Sequence, residues 1–329
     1  MPAKVDSAIL KALALDPAKT TIASHGGSGF STTQKITSTD EDGVEKCFFI
    51  KTGHGKEAGV MFEGEHTSLN SISSAVPSFC PRSYAHGPLC EKSGGHFLAT
   101  DFLTLTSKSR SSSKSLTLAQ KLSKLHSIAA STPPGFSEPQ FGFPVPTCCG
   151  NTEQDNTFKS SWAEFYADNR LRQILQASEK NNGRDKELHD LVERTAEEIV
   201  PRLLGDGHLT SPDGGKIVPV VVHGDLWSGN HGTGKIGTDE NVEEVVYDPS
   251  SCYAHAEFEF GIMKMFGGFG GTFWEWYYEG RDRDRPVEEW SDRAELYELY
   301  HHLNHYAMFG GSYKGGAVRI MKKLLEKYG

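Results

Sequence analysis

VVVHGDLWSGN, residues 220–230, places three consecutive valines directly before His, Gly, Asp, Trp, Ser and Asn. A run of β-branched apolar residues suits a short strand buried on both faces. The turn that leaves such a strand needs only Gly and one Asp or Asn. This one carries both Asp225 and Asn230, five residues apart, with Trp227 between them. Downstream, EEVVYD (243–248) is a second short apolar strand, and it ends on Asp248. Two neighbouring strands therefore hand acidic and amide side chains to adjacent loops, a pattern that points to chemistry rather than to a plain turn.

The rest of the chain sets the limits. Its 329 residues supply enough material for one large or two smaller domains. Hydrophobic residues make up 37% and charged residues 23%, with 35 glycines and 15 prolines, the composition of a loop-rich globular protein. The net charge of −9 argues against nucleic acid as a partner, because phosphate backbones are bound by basic stripes. No apolar stretch is long enough to cross a bilayer, so no membrane partner is expected. The N-terminal stretch lacks the basic and apolar regions of a signal peptide; Val5, Ala8, Ile9, Ala12 and Leu13 instead form a helical stripe stopped at Asp16–Pro17. The six cysteines show no zinc-type spacing, and reduced thiols in a cytoplasmic protein are the expectation.

Up to about residue 105 the pattern is strand-rich. Strands are expected at 20–29 and 30–39 around the Gly-rich SHGGSGFS (24–31), at 44–51, at 82–91 and at 96–103, with a helix at 57–75. TSKSRSSSKS (106–115) is a Ser/Lys-rich loop, and 131–150 holds too much Pro and Gly for regular structure. Helices are expected at 116–130, 159–178, 184–204 and through most of the chain from 255. The fold class is therefore α+β and bilobal: a small β-rich N-lobe, residues 1–101, and a larger α-rich C-lobe, residues 102–329, hinged at Asp101–Phe102–Leu103.

Four elements in order suggest phosphoryl transfer. The glycines Gly26, Gly27 and Gly29 let backbone N–H groups approach phosphate oxygens, although a Gly-rich hairpin turn looks the same. Lys51 ends the apolar strand CFFIK (47–51), where a kinase grips phosphates. On a helix, Phe62, Glu65, Leu69 and Ile72 share one face, which puts Glu65 among core positions and leaves Glu63 outside. A carboxylate so placed needs a cation, and Lys51 is the candidate. His223, Asp225 and Asn230 keep the spacing of the kinase HRDxxxxN loop, with Asp248 at the place of the DFG aspartate. In that pattern Asp225 is the base, Asn230 and Asp248 are oxygen ligands for Mg2+, and ATP is the phosphate donor.

The motifs extend well past this core. HGDLWSGN (223–230) together with FIK (49–51), MFEGE (61–65), FGF (141–143), TCCGNT (147–152), SWAEFYADNRL (161–171), YDPSSCYAHAEFEFGIMKMFGGF (247–269) and LNHYAMFGG (303–311) resembles the fructosamine/ketosamine-3-kinase family, and its protein-ribulosamine 3-kinases above all. The resemblance runs from about Ser24 to the end of the chain. It implies a protein-kinase-like fold related to aminoglycoside phosphotransferases. It further implies transfer of the ATP γ-phosphate to the 3-hydroxyl of ketosamines, free or on glycated protein lysines, after which the adduct releases its amine. It implies that the Lys51–Glu65 pair aligns ATP, that the backbone of Asp101, Phe102 and Leu103 meets adenine, and that His305 lies near the acceptor. DPS replaces DFG here, so no Phe-driven switch follows. Phe30 stands about where some relatives carry a loop cysteine, so a redox switch does not follow either.

Several residues keep two readings. Trp227 either stacks on the substrate or packs under the loop. His301 and His305 form an i, i+4 pair without a third ligand, for which capping or core roles compete with metal. Glu257 and Glu259 either face a cationic substrate or solvate a helix, RDRDR (281–285) reads as a solvated, internally paired loop, and Trp274, Trp276, Tyr277 and Tyr278 read as core. A choline- or aminoglycoside-type kinase shares HGDxxxxN but not TCCGNT or MFGGF. A non-catalytic sensor on a kinase fold would be expected to have lost Lys51, Asp225, Asn230 or Asp248, and all four are present.

Overall fold

The computed structural model describes residues 4–27, 29, 31–108 and 115–329. Phe30 and most of the Ser/Lys-rich segment lie outside the described residues. The chain divides into two compact units. The first runs to Leu118 and takes back Asn230–Pro249; the second holds Ala119–Gly229 and Ser250–Gly329.

In the first unit, α1 (Ser7–Ala12) is capped by the Asp6 carboxylate. It is followed by β1 (Thr20–Ser24), β2 (Thr32–Thr39) and β3 (Glu45–His54), then α2 (Lys56–Ala75), β4 (Ser83–Pro88), β5 (Gly95–Asp101) and β6 (Leu103–Leu105). The antiparallel sheet has the order β1-β2-β3-β5-β4. Alternation along β3 sorts its side chains. Phe48 and Ile50 join Val5, Ile9, Ile36 and Phe97 in one apolar cluster with α1, so Phe49 and Lys51 must point to the opposite face. The expected face of α2 is observed: Phe62, Glu65, Leu69 and Ile72 are buried and Glu63 is exposed.

The second unit begins with α3 (Leu118–Leu125) and a small hairpin of β7 (Thr147–Cys149) and β8 (Thr152–Gln154). Helices α4 (Trp162–Tyr166) and α5 (Gln173–Asn182) are joined by a wider π-helical stretch, as are α6 (Lys186–Arg194) and α7 (Val200–Leu204). β9 (Val220–Val222) is buried throughout, as its three valines require. After it the chain returns to the first unit as β10 (His231–Ile236) and β11 (Glu243–Val246), a hairpin that joins β6 in the order β11-β10-β6. β12 (Cys252–Ala254) then pairs antiparallel with β9. The remainder is helical: α8 (Phe260–Phe266), α9 (Gly271–Glu279), α10 (Trp290–Phe309) and α11 (Tyr313–Tyr328). Its core centres on Trp162, Tyr166, Phe258, Tyr297 and Tyr300, all essentially inaccessible.

Three sequence expectations differ from this structure. The division does not fall at 101/102: β6 continues the first unit, and 230–249 rejoins it because β10 pairs with β6. The RDRDR segment is not simply solvated, since Asp284 is buried and accepts from Arg281 and pairs with His255. Trp276 is exposed, whereas Tyr277 is fully buried.

Candidate active site

In the first unit, Lys51 Nζ lies 2.8 Å from both Glu65 carboxylate oxygens and 2.7 Å from Asp248 Oδ1. Burial alone pulls the Lys51 ammonium down, but the Asp248 and Glu65 carboxylates outweigh it and hold its pKa above the ordinary lysine value. Burial pushes the Glu65 carboxyl up, against the pull of Lys51. Asp248 reaches Lys51 from a backbone φ of +57°, in the left-handed region that a non-glycine residue enters only when its surroundings compel it. In β10–β11, His231 pairs with Val246, and the Tyr247 N–H donates to the Asn230 carbonyl. The hairpin thus ends with Asn230 opposite Tyr247, one residue from Asp248.

A cavity of about 240 Å³ opens beside this pair, lined by His25, Phe49, Leu103, Leu105 and Tyr247 at its apolar side and by Lys51, Glu65 and Asp248 at its polar side. Gly26 and Gly27 also line it, and Gly26 has φ +66°, which suits glycine alone. Among the described residues, none comes within 4 Å of where a Cβ on Gly29 would stand. Asp101, Phe102 and Leu103 differ in their backbone and side-chain partners. The Asp101 carboxylate accepts from the Arg82 N–H and from Tyr84, and the Asp101 N–H donates to Arg82. The Phe102 carbonyl accepts from the Gly237 N–H, and its ring packs between His25 and Lys35. Gly237–Phe102 and Thr106–Thr233 are hydrogen-bonded positions of an antiparallel ladder. By alternation Leu103 turns its N–H and C=O away from β10. Among the described residues β6 is the edge of its sheet, and Leu103 lines the cavity.

In the second unit, the HGD motif leaves β9 just past its ladder with β12, where the Ser250 N–H donates to the His223 carbonyl. Gly224 has φ +82°, and a Cβ there would stand 2.0 Å from the Ser250 carbonyl oxygen, so the central Gly of HGD is obligatory. Glu259 holds the loop from beneath. It is buried, and its two oxygens accept the N–H groups of His223 (2.5 Å) and Gly224 (3.0 Å). Its pKa lies below the usual glutamate value, because the nearby His126 and His223 and the hydrogen bonds it accepts outweigh its burial. His126 Nε2 stands 3.6 Å from Glu259, and its Nδ1 meets the Tyr277 hydroxyl. The Asp225 N–H donates to His223 Nδ1 at 3.3 Å. Glu257 forms a two-point pair with Arg293 in the interior. Neither glutamate solvates a helix, and neither is an exposed partner for a cationic substrate.

Trp227 and His305 come together around a ring that the sequence did not single out. Phe266 lies 5.7 Å from Trp227 and 5.3 Å from His305, centroid to centroid. Trp227 is 38% exposed, so it is not buried packing. His305 Nδ1 donates to the His301 carbonyl, and burial lowers its pKa. Among the described residues the metal-compatible trio is His255, Glu257 and Asp284, without His301 or His305; arginines already pair with its two carboxylates. Sequence reasoning also missed His25 and Tyr247 as cavity walls, because an isolated ring beside a turn carries no periodic signal.

The family model for fructosamine kinase matches residues 9–327. The chain belongs to the fructosamine kinase family. A rice (Oryza sativa subsp. japonica) chloroplastic protein-ribulosamine 3-kinase is 32% identical over 97% of this chain and 86% of its own length. Mouse (Mus musculus) ketosamine-3-kinase is 32% identical over 91% and 94%. Among solved structures, a Thermobifida fusca protein assigned as a fructosamine-3-kinase aligns over 98% of this chain and 99% of its own, with a TM-score of 0.72 at 21% identity. An aminoglycoside phosphotransferase solved with ADP and hygromycin B aligns over 97% and 98%, with a TM-score of 0.55 at 12% identity. These likenesses establish the bilobal, protein-kinase-like fold. Among the described residues no helix is long and apolar enough to cross a membrane.

Proposed function

We propose that this chain is an ATP-dependent kinase that phosphorylates the 3-hydroxyl of ketosamines, ribulosamine or fructosamine adducts on amines and protein lysines, and so starts their deglycation. Family membership over nearly the whole chain supports the reaction class. The observation that carries the reading to particular residues is the Lys51–Glu65–Asp248 constellation at the edge of a cavity with an apolar wall.

In this reading the backbone of Asp101, Phe102 and Leu103 meets adenine, with Asp101 held by Arg82 and Tyr84 and Phe102 by Gly237. Gly26, Gly27 and Gly29 present N–H groups to phosphate oxygens, and Lys51, aligned by Glu65, neutralises them. The amide and carboxylate oxygens of Asn230 and Asp248 are hard donors suited to Mg2+, and these two residues would hold it. When bound, the ion supplies charge neutralisation on the phosphates. Asp225 accepts the proton of the sugar hydroxyl as the new O–P bond forms and the bond to the ADP leaving group breaks. Trp227 and His305 face the acceptor. The six free cysteines support a reducing compartment, the cytoplasm.

Nucleotide-dependent thermal stabilisation tests these roles. At a hundred times Kd a ligand adds about 2.7 kcal/mol. Magnesium-ATP is expected to raise the Tm of the wild type, Lys51→Met to abolish the rise, and Asp248→Asn to remove its dependence on magnesium. A full magnesium-dependent rise in both variants would contradict the assignment.

A further inference from the structure

The aromatic row that starts at Trp227 continues past Phe266 and His305. His305 lies 5.8 Å from Phe309 and 5.0 Å from Tyr313, and Phe309 and Tyr313 are 6.4 Å apart. Trp227 belongs to the catalytic-loop motif, Phe266 closes α8, His305 and Phe309 stand one turn apart on α10, and Tyr313 opens α11. Three of these rings face solvent: Trp227 at 38%, Phe266 at 43% and Phe309 at 61% exposure. Trp227 and Phe266 are adjacent exposed rings, and half-buried His305 links them to Phe309; an exposed apolar patch of this kind marks a surface that binds something. From Trp227 to Phe309 the row takes three ring-to-ring steps of 5.3–5.8 Å, a contour equal to about five extended residues.

We propose that this row is a track for polypeptide, and that Phe309 and Tyr313 bind the residues flanking a glycated lysine. The inference rests on the ketosamine-kinase reading and adds to it the path that a polypeptide carrying the ketosamine takes and the flanking residues it prefers. Three features select that occupant. The row is continuous with the motif that carries Asp225, so a chain whose sugar is held there is led outward along the rings. Ring faces attract cations, and the ketosamine nitrogen is a protonated secondary amine; Trp227 and Phe266 take the sugar and this ammonium, and His305 covers the lysine stem. His305 contributes as a neutral plate, with its Nδ1 committed to the His301 carbonyl. Beyond the stem only main chain and neighbouring side chains remain to cover Phe309 and Tyr313. The net charge of −9 adds a long-range preference for lysine-rich polypeptides.

The test compares kcat/KM for free ribuloselysine with that for ribulosylated peptides whose lysine is flanked by Leu and Phe or by Gly. The wild type is expected to favour the apolar-flanked peptide. Phe309→Ala is expected to lower its kcat/KM about fivefold, the weight of one aromatic contact, while leaving free ribuloselysine unchanged. Phe309→Trp should keep the preference. Equal losses on all substrates, no loss on any, or a wild type indifferent to the flanking residues would overturn the track alone. Inactivity of the wild type toward every ketosamine would overturn the kinase reading and the track with it.

Discussion

At the scale of single residues, Asp225 is the proposed base, and Glu259 anchors the backbone of the same loop. The role proposed for Asp225 comes from spacing, because HGDxxxxN followed by a strand-end Asp is a pattern few loops share. Asp225→Asn is expected to keep ATP-induced stabilisation and to lose turnover by about two orders of magnitude or more. Turnover near that of the wild type would remove Asp225 from the role of base. Glu259 was not legible. It sits where a 3-10 turn, Ala256–Glu259, runs into α8, and a change of helical period just there blurs which face each residue takes. The structure shows it as an anchor for two backbone N–H groups. Glu259→Gln replaces one acceptor with a donor that faces an N–H. The cost is expected to be about 1–3 kcal/mol in urea unfolding, with kcat lowered and KM for ATP little changed. Full stability together with full kcat would deny the anchor.

At the scale of elements, strand alternation and helix phase do most of the positioning. CFFIK puts Phe48 and Ile50 against α1, and so Lys51 on the other face. MFEGEHTSL puts Glu65 on the buried stripe of α2. Only the second was visible in the sequence, where α2 carries a clean apolar period; CFFI is a continuous apolar run, and Lys51 was matched to Glu65 through the need of a buried carboxylate for a cation. β10 was not visible: HGTGKI has no apolar run, and its strand exists through pairing with β6 and β11. A Cβ at Gly234 would lie 2.7 Å from the Thr104 carbonyl oxygen, so close approach, rather than hydrophobicity, selects that residue. The Lys51–Glu65 pair makes a thermodynamic prediction. Lys51→Met leaves a buried carboxylate without its cation and is expected to cost about 3 kcal/mol. Glu65→Gln added to Lys51→Met should recover most of that stability without restoring ATP turnover. A single variant as stable as the wild type would show that the pair contributes little to folding.

At the scale of the whole molecule, the α+β bilobal class was legible from the change of pattern near residue 105. The return of 230–249 to the first unit was not, because it depends on a long-range pairing that local sequence does not encode. Buried and half-buried histidines give the protein a pH signature. Burial above all holds His66, His126, His231, His301 and His305 below the ordinary histidine value. The unfolded chain takes up protons near pH 6.5, whereas the folded chain does so only at lower pH. Stability is therefore expected to be full above about pH 6.5 and to fall as the pH drops toward the folded values. Urea unfolding from pH 7.5 to 5.5 should show this decline. His301→Phe should flatten the slope by up to about 1.4 kcal/mol per pH unit, the weight of one proton. A stability independent of pH across that range would contradict the neutral state of these side chains in the folded chain.

The most direct test of the central claim is magnesium-ATP consumption by the purified chain, with ribuloselysine and fructoselysine offered beside choline, an aminoglycoside and no acceptor. The account predicts turnover with the ketosamines alone, abolished by Asp225→Asn. Turnover with choline or the aminoglycoside in place of the ketosamines, or none with any acceptor despite tight ATP binding, would contradict it.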